Sequence, residues 1–218
     1  MKPTRRIPAA TISRLPLYLR ELEELTAGGE DVVSSRVLSD LTRFTSEQIR
    51  KDLAYFGAFG RRGIGYSVRH LAASIRQILG IADEPELALV GAGRLGTALL
   101  RYLSRRHAGL AVGPVFDSDP KKAMGSVEGY TVLPADAITE EVQRRQIRLA
   151  AITVPAPAAA QVFAALVAGG VRAVLNCAPV KLQHPDVFVN NLDLATELQA
   201  LAFYGQLREG KADEGAGA

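Results

Sequence analysis

The sequence predicts an α/β protein in two parts, a small helical unit followed by a larger parallel sheet wound with helices. Three observations predict it. The stretch LALVGAGRLGTAL, Leu87–Leu99, reads as buried strand, tight turn and helix start, with Gly91, Gly93 and Gly96 in the G-x-G-x-x-G spacing of a dinucleotide turn. Downstream, apolar runs alternate with helical patterns, which builds a parallel sheet. Upstream, the chain is helical and basic: residues 1–80 carry 13 Lys or Arg against 8 Asp or Glu, whereas residues 81–218 carry 13 against 15. Positive charge concentrated in the first part points to an anionic partner, of which nucleic acid is the usual one.

An apolar content of 48% over 218 residues sustains a real core. The single cysteine, Cys177, excludes an intrachain disulfide framework and fits a reducing compartment. No apolar run is long enough to cross a membrane, and the start MKPTRRIPAATISRL lacks the apolar stretch of a secretory signal. The expectation is a soluble cytoplasmic protein with no membrane partner.

In the first unit, residues 1–8 read as loose, because Pro3 and Pro8 oppose early helix. From about Ala10 to Ala27, Leu15, Tyr18, Leu19, Leu22 and Leu25 recur at helical steps; Pro16 suggests a start there, and Gly28–Gly29 end the helix. A short helix, Ser35–Leu41, follows, with Ser34 as cap and Val37, Leu38 and Leu41 inward. Thr45 and Gln48 match a capping box opening a third helix to about Tyr55. Ile49, Leu53 and Phe56 share its inner face, which leaves Gln48, Arg50, Lys51, Asp52 and Tyr55 to other faces. Two short helices with a basic second one form a helix-turn-helix pattern, though any small helical bundle can show it. GAFGRRGIGY, Gly57–Tyr66, then suits a hairpin wing with Arg61 and Arg62 at its tip, placed to hold phosphates or enter a minor groove; a glycine-rich linker is the bland alternative. A helix over 68–80, with Leu71, Ile75, Ile78 and Leu79 inward, and the linker Ala82–Pro85 complete the unit. The DNA-binding unit is therefore placed at 1–80 and the dinucleotide unit at 86–192.

In the second unit, strand 87–91 leads into helix 95–106. Gly91 permits the turn, Gly93 lets backbone approach a pyrophosphate, and Gly96 lets the helix pack on the strand; the helix N-terminus offers free N–H groups to the phosphates. The next strand lies within Leu110–Pro120. Asp117, 21 residues beyond Gly96, stands where an acid binds the adenine ribose hydroxyls. An acid there repels a 2′-phosphate, favouring NAD(H) over NADP(H), although Lys121 and Lys122 can offset the repulsion. Asp119 is a candidate cap for the following turn. Val127–Pro134 gives a short strand or turn, 136–146 a polar helix, Ile147–Pro155 a strand ending at the crevice with Thr153, Val154 and Pro155, and 157–169 a helix. Val171–Val180 and Val187–Asp193 supply the last strands. The helix Asp193–Leu207 is unusually apolar, with Leu194, Leu198, Leu201, Ala202, Phe203 and Leu207. It packs on its own sheet, the commoner arrangement, or meets a partner subunit. The tail, 208–218, reads as disordered.

The chain lacks the marks of a dehydrogenase, which needs a proton donor or acceptor at the substrate carbon. Of the three histidines, His70 falls in the linker helix and His107 at the far end of a helix; His184 follows a sheet turn without a companion arginine or aspartate at substrate spacing. One cysteine and scattered histidines make no metal site. No catalytic residue and no metal are expected.

Taken together, ISRLPLYLR (12–20), QIRKDLAYFG (48–57), RRGIGY (61–66), VGAGRLG (90–96), FDSDP (116–120), NCAPV (176–180) and NNLDLATELQ (190–199) resemble the redox-sensing transcriptional repressor family Rex over about Ile7–Tyr204. The resemblance implies an N-terminal winged helix-turn-helix domain, a Rossmann-type parallel-sheet domain and a C-terminal domain-swapped helix at 193–207. It implies a homodimer that represses from a pseudo-palindromic double-stranded operator, is released by NADH, and keeps DNA-binding competence when NAD+ competes for the site. Residue by residue, it implies that Gln48, Arg50 and Lys51 face DNA from the recognition helix and that Arg61 and Arg62 do so from the wing. Arg20, Tyr102 and Asp193 resemble a trio that couples helix one, the cofactor domain and the swapped helix. The cofactor set is Gly91, Ala92, Gly93, Arg94, Leu95, Gly96 and Asp117, with an apolar nicotinamide pocket near Val154, Pro155, Ala178, Pro179 and the partner's Leu194. Two positions depart from some members: Leu194 replaces a phenylalanine, and Cys177 stands where many carry phenylalanine, as a small buried hydrophobe.

Overall fold

The computed structural model describes residues 7–57, 59–61, 63–105, 109–123 and 125–203. The chain divides into two compact units, Met1–Pro85 and Glu86–Ala218. No helix among the described residues is long and apolar enough to cross a membrane.

The first unit runs α1 (Ala9–Ala27), β1 (Val32–Val33), α2 (Ser35–Thr42), α3 (Ser46–Ala54), β2 (Gly60–Arg61), β3 (Gly65–Ser67) and α4 (Val68–Leu79). Leu15, Tyr18, Leu22, Leu38, Ile49, Val68, Leu71 and Ile75 meet in its core. Helix α1 begins before Pro16 and carries the proline inside, one turn later than a first-turn proline would stand. The two caps form: Ser34 Oγ accepts from Val37 N–H and Thr45 Oγ1 from Gln48 N–H. The wing forms as well, with β3 paired antiparallel to both β2 and β1. Strand β1 was invisible to periodicity because it spans only two residues. Its approach to β3 explains Gly65, which holds φ +105° and where a Cβ would lie 2.6 Å from the Val33 carbonyl oxygen.

The second unit runs β4 (Glu86–Val90), α5 (Arg94–Arg105), β5 (Ala111–Asp117), β6 (Ser126–Val127), β7 (Tyr130–Pro134), α6 (Ile138–Arg144), β8 (Leu149–Ile152), α7 (Ala156–Gly169), β9 (Ala173–Asn176) and β10 (Phe188–Asn191). The sheet order is β10-β9-β8-β4-β5-β7-β6, all neighbours parallel except the β6–β7 hairpin. This is the doubly wound Rossmann arrangement, in which the order reverses beside β4 and leaves a crevice at the strand carboxyl ends. Alternation along β4 serves two cores. Ala88 and Val90 join Phe116, Ile152 and Leu166 on one face, while Leu87 and Leu89 join Leu100, Val115 and Val132 on the other.

Residues 194–203 form the final helix. It does not pack on its own sheet: Leu194, Leu198, Leu201 and Phe203 are 57–65% exposed. The commoner arrangement expected from residues alone is thus corrected. Steps of four and three place Leu194, Leu198 and Leu201 on one helix face, and each is exposed among the described residues.

At Gly96 a Cβ would lie 1.8 Å from the Gly91 carbonyl oxygen, whereas at Gly93 it would meet nothing within 4 Å. Gly96→Ala is therefore expected to cost more than about 3 kcal/mol, because backbone rather than a flexible side chain must give way. Gly93→Ala should leave the melting temperature nearly unchanged. Thermal unfolding followed by circular dichroism checks both.

Candidate functional site

The crevice of the second unit is a cleft of about 840 Å³ at the carboxyl ends of β4, β5 and β8. Its floor is backbone. Gly91, at φ +105°, turns the chain out of β4, and its N–H donates to the Phe116 carbonyl at 2.8 Å. Thr153, just past β8, braces the turn: its hydroxyl lies 2.7 Å from the Gly91 carbonyl and 3.1 Å from the Val90 carbonyl. Gly96 brings α5 onto this turn. The free room at Gly93, which lines the cleft, is where a phosphate-bearing ligand needs close backbone.

Asp117 ends β5 and is buried. Burial alone would push its carboxyl pKa up. Donation from the Asp119 N–H (2.8 Å), the Lys122 ammonium (3.1 Å) and the Ala92 N–H (2.9 Å) outweighs burial and holds it below the ordinary value. A carboxylate accepts about four hydrogen bonds, so these three donors leave it acceptor capacity. Lys122, expected to offset repulsion of a 2′-phosphate, is the direct partner of Asp117. Asp119 caps the next turn by accepting from the Lys121 N–H at 3.0 Å.

The cleft has two chemically different halves. Asp117, Ser118, Lys122 and Asp136 follow β5 and β7, whereas Val154 and Pro155 follow β8 and Cys177 follows β9. Strand order puts these groups on opposite sides of β4. Burial pushes the Cys177 thiol up, so it stays neutral. Of the expected cofactor residues, Gly91, Gly93, Leu95, Asp117, Val154 and Pro155 line the cleft; Ala92 and Arg94 border a neighbouring cavity of about 500 Å³ with Arg101 and Lys122. Gly96 stands behind the turn. Ala178 is buried and, with Pro179, flanks a separate cavity of about 270 Å³ beside Asp193. Asn176 fixes this loop, donating to the Val180 carbonyl at 2.6 Å and to Asn191 Oδ1 at 2.9 Å. Motif spacing did not expose Gln161, Ala158 and Ala165 of α7, which also line the cleft. His184 stands edge-on to Phe163 and does not line it.

In the first unit, Arg50 and Lys51 of α3 are exposed, and Arg50 donates to Ser35 Oγ at 2.9 Å. Arg50 borders a groove of about 540 Å³ between α3 and the wing. Arg61 lies in β2 by its backbone, while Arg62 and the tail 208–218 lie outside the described residues. Asp52 corrects the expectation of an outer position, because it is fully buried. It accepts from Thr11 Oγ1 (3.0 Å), Arg14 Nε and Nη2 (2.6 and 2.7 Å), Tyr18 OH (2.7 Å) and Gln48 Nε2 (2.9 Å). Burial again pushes the carboxyl up, and these donors bring it below its usual value. The capping box is therefore half formed, since the Gln48 side chain turns to Asp52 rather than back to Thr45. Arg20 pairs with Glu21 at 2.8 Å, and Asp193 caps the final helix through Ala195 N–H, Thr196 N–H and Thr196 Oγ1. Tyr102 sits on α5 and is half exposed.

Comparisons with known proteins find relatives of both units. Residues 6–54 match a family described as a putative DNA-binding protein N-terminus, and residues 83–180 match a CoA binding domain. The chain is 44% identical over 200 residues to a redox-sensing transcriptional repressor Rex of Natranaerobius thermophilus, covering 91% of each chain. It is 44% identical over 198 residues to the protein of that name in Roseiflexus sp., covering 90% of each. The crystal structure of RSP in complex with β-NAD+ and operator DNA superposes at a TM-score of 0.85 with 32% identity, covering 99% of this chain and 100% of that one. RSP in complex with β-NADH gives 0.80 and 30%, covering 97% and 99%.

The Asp52 cluster makes the first unit acid-sensitive. A carboxyl whose folded pKa is depressed stabilises above its unfolded pKa, about 3.9, and loses that contribution as pH falls through the folded value. Asp52→Ala, which strands Arg14, is expected to cost about 3–5 kcal/mol near neutral pH. The deficit should shrink as the pH is lowered below about 4. Urea unfolding at stepped pH measures it.

Proposed function

This chain belongs to the Rex family of redox-sensing transcriptional repressors, regulators rather than enzymes, and we propose that it binds a pseudo-palindromic operator as a homodimer and leaves it when its cleft takes up NADH. The observation that carries this reading is the pairing, in one chain, of a winged helix with exposed Arg50 and Lys51 and a dinucleotide-type cleft with Asp117 at its ribose end. The fit of the cleft to NAD(H) rests on Gly93, whose open side admits a pyrophosphate, and on Asp117, which keeps acceptor capacity for a ribose hydroxyl.

The two halves of the cleft give a physical basis for redox discrimination. The nicotinamide end falls to Val154, Pro155 and the neutral Cys177, while the carboxylates that line the cleft, Asp117 and Asp136, follow β5 and β7 on the other side of β4. A cationic oxidised ring loses hydration there without a partner, whereas the neutral reduced ring loses little. NAD+ is then the weaker competitor. Arg50 and Lys51 hold the duplex, and Arg61 and Arg62 of the wing add to that grip. Arg20, Tyr102 and Asp193 couple the units, and Leu194 of the final helix closes the partner's nicotinamide pocket. NADH and operator each prefer a different dimer arrangement, so each weakens the other by the same factor. The working compartment is the cytoplasm, where the free thiol of Cys177 stays reduced.

A mobility-shift titration on a duplex selected from a randomised library tests this. NADH should release the protein at concentrations where NAD+ does not, and no NADH should be consumed in the presence of small carbonyl compounds. Undiminished DNA occupancy at saturating NADH would overturn the proposal. Arg50→Ala should weaken duplex binding about tenfold or more while calorimetric NADH binding is unchanged.

A further inference from the structure

We propose that Asp52 is a positioning residue that fixes which end of the Gln48 amide α3 presents to DNA, and so helps to choose the base that is read. The inference rests on the DNA-binding reading above and deepens it.

Gln48 is the third residue of α3, and residues near the start of a recognition helix are those that reach base edges. It is only half buried, and one turn later Asp52 is fully buried. The Gln48 amide nitrogen lies 2.9 Å from Asp52 Oδ1. An ionised carboxylate can only accept, so the nitrogen end of the amide must face it. The alternative amide orientation would set the Gln48 oxygen against a carboxylate oxygen. Thr11, Arg14 and Tyr18 hold Asp52 from α1, which leaves the carboxylate no freedom to turn away. Gln48 is therefore left with its amide oxygen and one N–H to offer outward. That pair matches the N6–H donor and N7 acceptor of adenine in the major groove. Arg50 and Lys51, on the exposed side of the same helix, supply charge that does not depend on this arrangement.

The test is selection from a randomised duplex library by the full-length protein, comparing wild type, Gln48→Ala and Asp52→Asn. The Asn side chain keeps the shape but loses the charge, and whichever way its amide turns it sets an NH2 against an Arg14 N–H, so its hold on the Gln48 amide is loosened. Wild type should enrich an adenine that Gln48→Ala no longer selects. At that position Asp52→Asn should reduce the preference for the best base from about tenfold or more to below about threefold. Positions insensitive to Gln48→Ala should stay as they are. A consensus unchanged by Asp52→Asn overturns this proposal alone; a wild type that enriches no sequence overturns it together with the DNA reading. If Asp52→Asn does not fold, nuclear magnetic resonance of the wild type decides. One Gln48 amide proton should exchange slowly through its bond to Asp52, and two freely exchanging protons would overturn the proposal.

Discussion

The approach of α5 to the turn after β4 is the constraint from which the second unit follows. Gly96 leaves no room for a methyl group against the Gly91 carbonyl, and the Thr153 hydroxyl reaches that same carbonyl from β8. Asp117 reaches in from β5 to the Ala92 N–H. Two strand ends, those of β5 and β8, are thus tied to the turn after β4 by bonds that involve its backbone. A cleft shaped this way is set before any ligand enters, so little ordering cost falls on binding.

The first unit solves a different problem by a different means. A winged helix of about 80 residues has a small core, yet α3 must keep a fixed pose on α1. Apolar contact from Ile49 and Leu53 tolerates small rotations, whereas a carboxylate with donors from α1 and α3 does not. Burying Asp52 and most of Arg14 carries a desolvation cost that their attraction and hydrogen bonds offset in part or in full. The return is geometric specificity at the helix that carries Arg50 and Gln48.

The difference in legibility between the units has a physical origin. The sheet was legible because its strands are apolar runs and its turn demands glycine at fixed places; both signals are local. The Ser34 and Thr45 caps were legible for the same reason. Asp52 was misplaced because a helical pattern ranks a carboxylate as outward, and its donors lie 34–41 residues away, apart from Gln48. Strand β1 escaped because two residues have no period. The bond from Lys122 to Asp117 is not legible, since a five-residue separation says nothing of which charge a lysine reaches. Ala158, Gln161 and Ala165 were read only as helix, because cleft lining on α7 depends on how that helix lies across the sheet.

The final helix shows what a single chain cannot satisfy. Leu194, Leu198 and Leu201 form one exposed face, and Phe188 on the edge strand β10 is 74% exposed. Each leucine left in water forgoes about 1.5–3 kcal/mol of burial. A surface of this kind is one that an association would cover. Asp193 sharpens the point, because it caps the helix and so makes it start at a defined residue, without help from packing. A helix that is formed yet exposes its leucines among the described residues is suited to exchange between subunits. In the proposed homodimer the same segment would supply dimer stability and, through Leu194, one wall of the partner's nicotinamide pocket. Redox state and subunit arrangement would then be read by a single element, which is the economy a two-state repressor requires.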